Sequence, residues 1–526
     1  MSTLKTSSVP LTLGGITIED LSLIAIEGAQ LAVATEVDER IQASRAVVEH
    51  ALARDQLVYG LTSQVGHGRD QRVDPEALSR FQELLVRSHA GGVGAPLPEE
   101  QVRAIMLARI AGLARGGSGV HPDAFNTLVQ MLNAGVHPII PEGGSVGASD
   151  IPHLAAVALV MIGRGQARYQ GDVLTGSEAL ARAGIAHYQL QPKDGLALIS
   201  ANGFAVGVGA LTVLRAERVA ALSDQVAALS LEAVGANLSP FEAEVAAAKP
   251  FPGQMAVAQH MRELLAASYL HTPDRAASVQ DPLSFRVIPQ VHGALREQLL
   301  FARRSVEVEL NASDDNPLVS IEQDRLISNG NFHPMVLALA FDALRVGLAH
   351  VGMLSERRTN KVFWPHVKRL QSLLGARGTA GATTASGPPS ADDSEPLVAL
   401  PAYAAASILA ELKHLAGPVT LECPPLDLDV EDHSTLAPQA VTLTGQALHH
   451  LETILTIEAL IAAESLAVQE PFPQLGEGTR TTYAAMRAAL RHTGAQPSAS
   501  AAVEATRAAL RSEVGNGLLV RGSSRS

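Results

Sequence analysis

Four long stretches constrain this 526-residue chain more than anything else in it. From about 205 to 234 it carries no proline and few glycines, and apolar residues recur at helical spacing. The segments 336–358, 402–417 and 439–468 read the same way. Runs of this kind predict a mainly α protein built as a long-helix bundle. Several are apolar on more than one face, which predicts helices buried in a multi-subunit core. With 47% hydrophobic but only 3% aromatic residues, the composition also favours helix packing over a β-sandwich.

A net charge of −13 argues against a nucleic-acid groove or a surface for anionic membranes. The single cysteine, Cys423, excludes an intrachain disulfide framework and a multi-cysteine zinc site, and fits a reducing compartment. Met1-Ser2-Thr3-Leu4-Lys5 lacks the layout of a signal peptide, and no run reaches about 18 uninterrupted apolar residues. A soluble, cytoplasmic protein is expected, with no nucleic-acid or membrane partner. The sequence contains neither GxxxxGK[ST] nor HExxH, and its histidines lack metal-ligand spacing.

Between the long runs lie shorter elements and loops. Residues 11–18 read as a strand, and 38–54, 75–88 and 98–115 as helices. Tyr59-Gly60-Leu61-Thr62-Ser63 and Gly66-His67-Gly68 form a polar loop, as does Ser88-His89-Ala90-Gly91-Gly92-Val93-Gly94. Residues 375–394 read as a loop, either a plain surface connection or a lid beside a site. The densest punctuation is Gly143-Gly144-Ser145-Val146-Gly147-Ala148-Ser149-Asp150, which opens an Ala-rich helix over 154–161. It predicts closely folded backbone, with Ser149 or Asp150 capping that helix.

This turn resembles the segment of the histidine and aromatic amino acid ammonia-lyase family that holds Ala-Ser-Gly followed by Asp-Leu. The other loops match the same family in order: Tyr59-Gly60, the Ser88 to Gly94 run, Gln280-Asp281-Pro282-Leu283-Ser284-Phe285-Arg286, Asn311 to Pro317, Gly330-Asn331-Phe332-His333 and Glu431-Asp432-His433. The resemblance implies a helical lyase divided into a site-loop region, 1–200, and a helical bundle, 201–526. It implies a small amino acid substrate and a homotetramer with shared active sites. It also gives the residues roles. Tyr59 is the catalytic base, and Arg286 grips the substrate carboxylate. His89 and Glu431 contact an imidazole-type ring, while Asn316 and Phe332 line the site.

In the family the Ala-Ser-Gly triplet cyclises into methylidene-imidazolone (MIO), an electrophile made from backbone. Here Ala148 and Ser149 are followed at once by Asp150: either the glycine that supplies the unhindered nitrogen is missing, or, with Asp150-Ile151 aligned to the family's Asp-Leu, the triplet reads Gly147-Ala148-Ser149 and its central serine has become Ala148. Leu283 stands where the family has Tyr. The family's Asn is either replaced by Ser200 or displaced to Asn202. The groups that hold substrate remain, while those around the electrophile depart. The pattern implies a lyase that eliminates an α-amine and a β-proton from a histidine-like amino acid or histidine betaine, with no external cofactor and without MIO. It resembles the family's MIO-less, ergothionase-like branch. Two alternatives stay open: an MIO-dependent histidine ammonia-lyase giving urocanate and ammonia, and a non-catalytic homologue.

Overall fold

The computed structural model describes residues 8–380, 399–421, 423–492 and 498–522. The long runs are helices: Gly203–Val234, Met335–Ala380, Ala399–Leu415 and Ala437–Ala467, joined by Ile288–Leu310. Among the described residues, Asp194–Val234 and Met335–Arg369 are long and apolar enough to cross a membrane, yet 94% and 61% of their most apolar stretches are buried in the protein. The helices expected in the first two hundred residues are Thr35–Ala53, Leu78–His89 and Glu99–Ala114.

Two expectations are corrected. The strand expected over 11–18 is instead Ser8–Leu11, paired in parallel with Gln30–Val33, and Ile18 already belongs to the helix Ile18–Ala25. Thr17 caps that helix in a reciprocal capping box with Asp20, a local signal that outweighs the apolar alternation. The loop expected at 375–394 is helical through Ala380; residues 381–394 lie outside the described part.

The chain forms two compact units. The first comprises Met1–Leu214, Phe301–Asp342 and Pro418–Thr442, and the second Arg215–Leu300, Ala343–Gly417 and Leu443–Ser526. Where the sequence division falls at 200, the first unit therefore continues to Leu214 and regains the chain twice. Its centre is the helix Glu99–Ala114, buried on every face from Val102 onward. That needs apolar neighbours all round, as the absence of a polar stripe predicts.

The second unit places charge inside and pairs it. Arg358 and Glu458, both with fully buried side chains, pair at 2.6 Å, and Glu458 also accepts from Ser230 (2.7 Å) and Ser355 (2.5 Å). Asp224 takes His292, His260 and Arg296 at 2.7–2.9 Å. Such pairs fix a packing arrangement, because removing one partner would strand a buried charge.

Candidate active site

The glycine turn of the first unit is built by close backbone approach. Val93–Pro96 pairs antiparallel with Pro141–Gly143, which brings the 88–94 loop beside the turn. Gly144 has φ +132°, and a Cβ there would sit 3.1 Å from Gly92 Cα. Gly147 has φ +78°, and a Cβ there would fall 2.3 Å from Thr435 Oγ1. Only glycine fits either place. The start of the helix Ala437–Ala467 docks onto the same turn: Thr435 Oγ1 donates to Gly147 O (2.7 Å), Leu436 N to Val146 O (2.9 Å) and Gln439 Nε2 to Ser145 O (2.6 Å).

At the end of the turn Ser149 is held left-handed, φ +68°, a conformation non-glycine residues seldom adopt. Its N–H donates to Phe332 O (3.3 Å), and its hydroxyl lies 3.4 Å from that of Ser200. Asp150 N–H donates to Ala201 O at 2.7 Å. Asp150 occupies the N-cap position of Ile151–Met161 but, contrary to expectation, makes no side-chain cap there, and neither does Ser149. Its carboxylate instead accepts from Ala205 N (2.8 Å) and Ser145 Oγ (2.9 Å). Ala205 lies in the first turn of Gly203–Val234, whose preceding Asn202 N–H donates to Asp314 (2.7 Å). The longer helix thus takes two carboxylates at its positive end. Burial pushes the Asp150 carboxyl up to about 6.

Beside the turn lies a cavity of about 990 Å³, formed within the first unit. Of the residues singled out from sequence, Tyr59, His89, Ala148, Ser149, Ser200, Asn316, Phe332 and Glu431 line it. Asp150 is buried behind the turn and does not. Ser200, not Asn202, occupies the cavity wall; the Asn202 amide is buried without a partner. Arg286 and Leu283 belong to the second unit and are not among the lining residues. There Leu283 is exposed and Arg286 half-buried with its Nε unpartnered, while the Gln280 amide, turned to present its oxygen, accepts from the guanidinium.

The chemistry of the wall follows from its partners. The Tyr59 hydroxyl accepts from Gly66 N at 3.0 Å, and burial, helped by the Glu431 and Asp427 carboxylates, raises the phenol above its ordinary value. His89 Nδ1 lies 2.8 Å from Leu85 O, a partner that can only accept, so Nδ1 carries the proton and Nε2 of the neutral ring is an acceptor. Burial raises Glu431 as well, with Asp427 adding to the effect and His89 opposing it. Asp427, Glu431 and Asp432 line the cavity against one guanidinium, Arg69, so the wall has a surplus of negative charge.

Sequence reasoning missed His67, Arg69 and Asp427. His67 sits in the glycine-bearing loop already marked as polar and Arg69 directly follows it, which could have pointed to them. Asp427 sits in an unremarkable Pro-Leu-Asp-Leu-Asp run. His333 and His433, expected only as parts of longer matching segments, meet at 3.0 Å between Nε2 and Nδ1 in the wall.

Comparison with known proteins identifies the family. The family model described as aromatic amino acid lyase matches residues 16–488. The chain is 36% identical over 478 residues to a histidine ammonia-lyase of Alkaliphilus metalliredigens, covering 91% of each. Its fold is similar to that of the ergothioneine-degrading enzyme ergothionase from Treponema denticola, crystallised with desmethyl-ergothioneine sulfonic acid (TM-score 0.87, 27% identity, 96% of this chain and 99% of that one). It is also similar to histidine ammonia-lyase from Trypanosoma cruzi (TM-score 0.84, 28% identity, 97% and 95%). The expected helical lyase fold is therefore present, and the chain belongs to the aromatic amino acid lyase family as a carbon–nitrogen lyase of its ammonia-lyase type.

Proposed function

We propose that this lyase acts on a histidine betaine in the manner of ergothionase, releasing a tertiary amine without MIO. The observation that carries the reading is the commitment of Asp150. Ring closure needs the nitrogen after Ser149 to attack the Ala148 carbonyl. That nitrogen donates to Ala201 O, and its residue's carboxylate is locked between Ala205 N and Ser145 Oγ. The residues present do not fit the ring. The acid surplus of the wall supports a substrate with a fixed positive charge.

In this reading Tyr59, as phenolate, takes the β-proton. The C–H electrons form the Cα=Cβ bond as the C–N bond breaks, and the amine leaves with the C–N pair. A quaternary ammonium leaves as a neutral tertiary amine and needs no proton, so no electrophile has to activate it. Raised above its ordinary value, the Tyr59 phenol is neutral at neutral pH. An entering cation offsets Glu431 and Asp427 and favours the phenolate. A positioned base supplies roughly 10²–10⁴-fold. His89 and Glu431 contact the imidazole-type ring. We place Arg286 and Leu283 in the cavity of a neighbouring subunit of a cytoplasmic homotetramer, Arg286 as the carboxylate clamp and Leu283 as an apolar wall for N-methyl groups.

The second reading, MIO-dependent release of ammonia from histidine, draws on the 36% identity to a histidine ammonia-lyase and on the place of Ala148 and Ser149 in the wall. A turnover screen separates the two. Histidine, its betaine and its thiolated betaine are incubated with enzyme, and ammonia and trimethylamine are assayed separately. The expected result is trimethylamine from a betaine and no ammonia from histidine. Ammonia from histidine overturns the proposal in favour of the second reading, and no amine from any of the three overturns both.

A further inference from the structure

The loop that carries Tyr59 is tied to the turn that carries Glu431 by one residue pair. His67 donates from its main-chain N–H to Asp427 Oδ2 (2.8 Å), and its ring Nδ1 meets Asp427 Oδ1 at 2.6 Å. Gly66, immediately before it, donates to the Tyr59 hydroxyl. Gly66 has φ +59°, and a Cβ there would fall 2.1 Å from Asp427 Oδ2. Asp427 therefore lies hard against the residue that orients the phenol.

Asp427 is itself held in an improbable place. Asp427, Leu428 and Asp429 are all left-handed, φ 48°, 53° and 62°. Leu426 and Glu431 close the turn by exchanging hydrogen bonds of 2.9 and 3.2 Å. Three such residues in a row are costly and persist where the surroundings over-determine them, which is common at functional sites. The ion pair does not account for them as a source of stability. His67 is 62% and Asp427 26% exposed in their side chains, and a pair that open to water contributes little.

We propose that Asp427 is a positioning residue for Tyr59: by gripping both the main chain and the ring of His67, it fixes Gly66 and keeps the phenol facing the acid that reads the substrate ring. The charged and titratable groups around the phenol are Glu431, Asp427 and Arg69, with the His67 and His89 rings in the same wall. The proposal rests on the reading of Tyr59 as the base, and its test has an arm that does not need turnover.

Asp427→Ala and Asp427→Asn are compared with the parent by steady-state kinetics. They are also compared by ultraviolet titration of Tyr59, with Tyr59→Phe as the blank and thermal melts to show folding. Asn keeps an oxygen for the His67 N–H, whereas Ala keeps nothing. Asp427→Ala is expected to lose about tenfold or more in turnover, with KM within about threefold, and Asp427→Asn to recover most of the loss. Asp427→Asn titrates Tyr59 at lower pH than the parent because a negative charge has gone. Asp427→Ala titrates it above Asp427→Asn because the Gly66 N–H no longer steadies the phenolate. Parental turnover in folded Asp427→Ala, a change confined to KM, or no recovery in Asp427→Asn overturns the proposal. If no betaine or histidine is turned over by the parent, the functional reading has failed and the titration alone decides. Equal Tyr59 midpoints in the two variants would then mean that only charge matters, and the tether falls.

Discussion

Tyr59→Phe lowers turnover of the betaine by roughly 10²-fold or more while changing KM little, if its phenolate is the base. The ring stays, so the packing of the loop survives; the oxygen that accepts from Gly66 and would take the proton is lost. The pH profile adds a second readout. The base must be deprotonated to act, so kcat/KM rises with pH. Burial and the Glu431 and Asp427 charges raise the phenol above its ordinary value of about 10. The rise therefore continues through the neutral range with no plateau below about pH 9. In Tyr59→Phe that ascending limb disappears from the residual activity. Near-parental turnover in the variant would assign the proton to another group.

Arg286→Lys raises KM for the betaine by roughly tenfold to a hundredfold, because an ammonium cannot reproduce the two parallel donors a guanidinium offers a carboxylate. The loss converts to about 1.4–2.7 kcal/mol. The location of Arg286 sharpens the test. It belongs to the second unit and does not line the cavity of the first, so its proposed role is in a neighbour's site. Co-expressed Tyr59→Phe and Arg286→Lys chains should then recover part of the activity that each lacks alone, through sites that draw both native residues from different copies. No recovery, with unchanged KM in Arg286→Lys, would remove Arg286 from the substrate.

The parts of the protein that could be read from sequence are those with a local physical signature. Long apolar periodicity gave the helices Gly203–Val234 and Ala437–Ala467 to within a few residues. The glycines of the 143–150 turn announced close backbone approach: Gly147 leaves no room for a Cβ, and Gly144 combines a positive φ with a tight contact to Gly92. What could not be read depends on contacts between distant segments. Nothing local says that Asp150 serves the N-terminus of Gly203–Val234 in preference to its own helix. Nor does anything near residue 427 foretell its grip on His67, 360 positions away. The choice between Ser200 and Asn202 was likewise a question of which side chain faces the cavity: Ser200 lines it, while Asn202 bonds Asp314 through its main-chain N–H and its amide is buried away from it.

The segment Ala148-Ser149-Asp150 is expected to remain an ordinary peptide, with elimination proceeding without a backbone electrophile. The intact mass of the active, purified chain tests this directly. The expected mass equals that of the encoded sequence, with the peptide spanning Ser149 unmodified. A chain lighter by two waters, with the loss mapped to residues 148–150, would mean that the ring forms despite Asp150 and would contradict it.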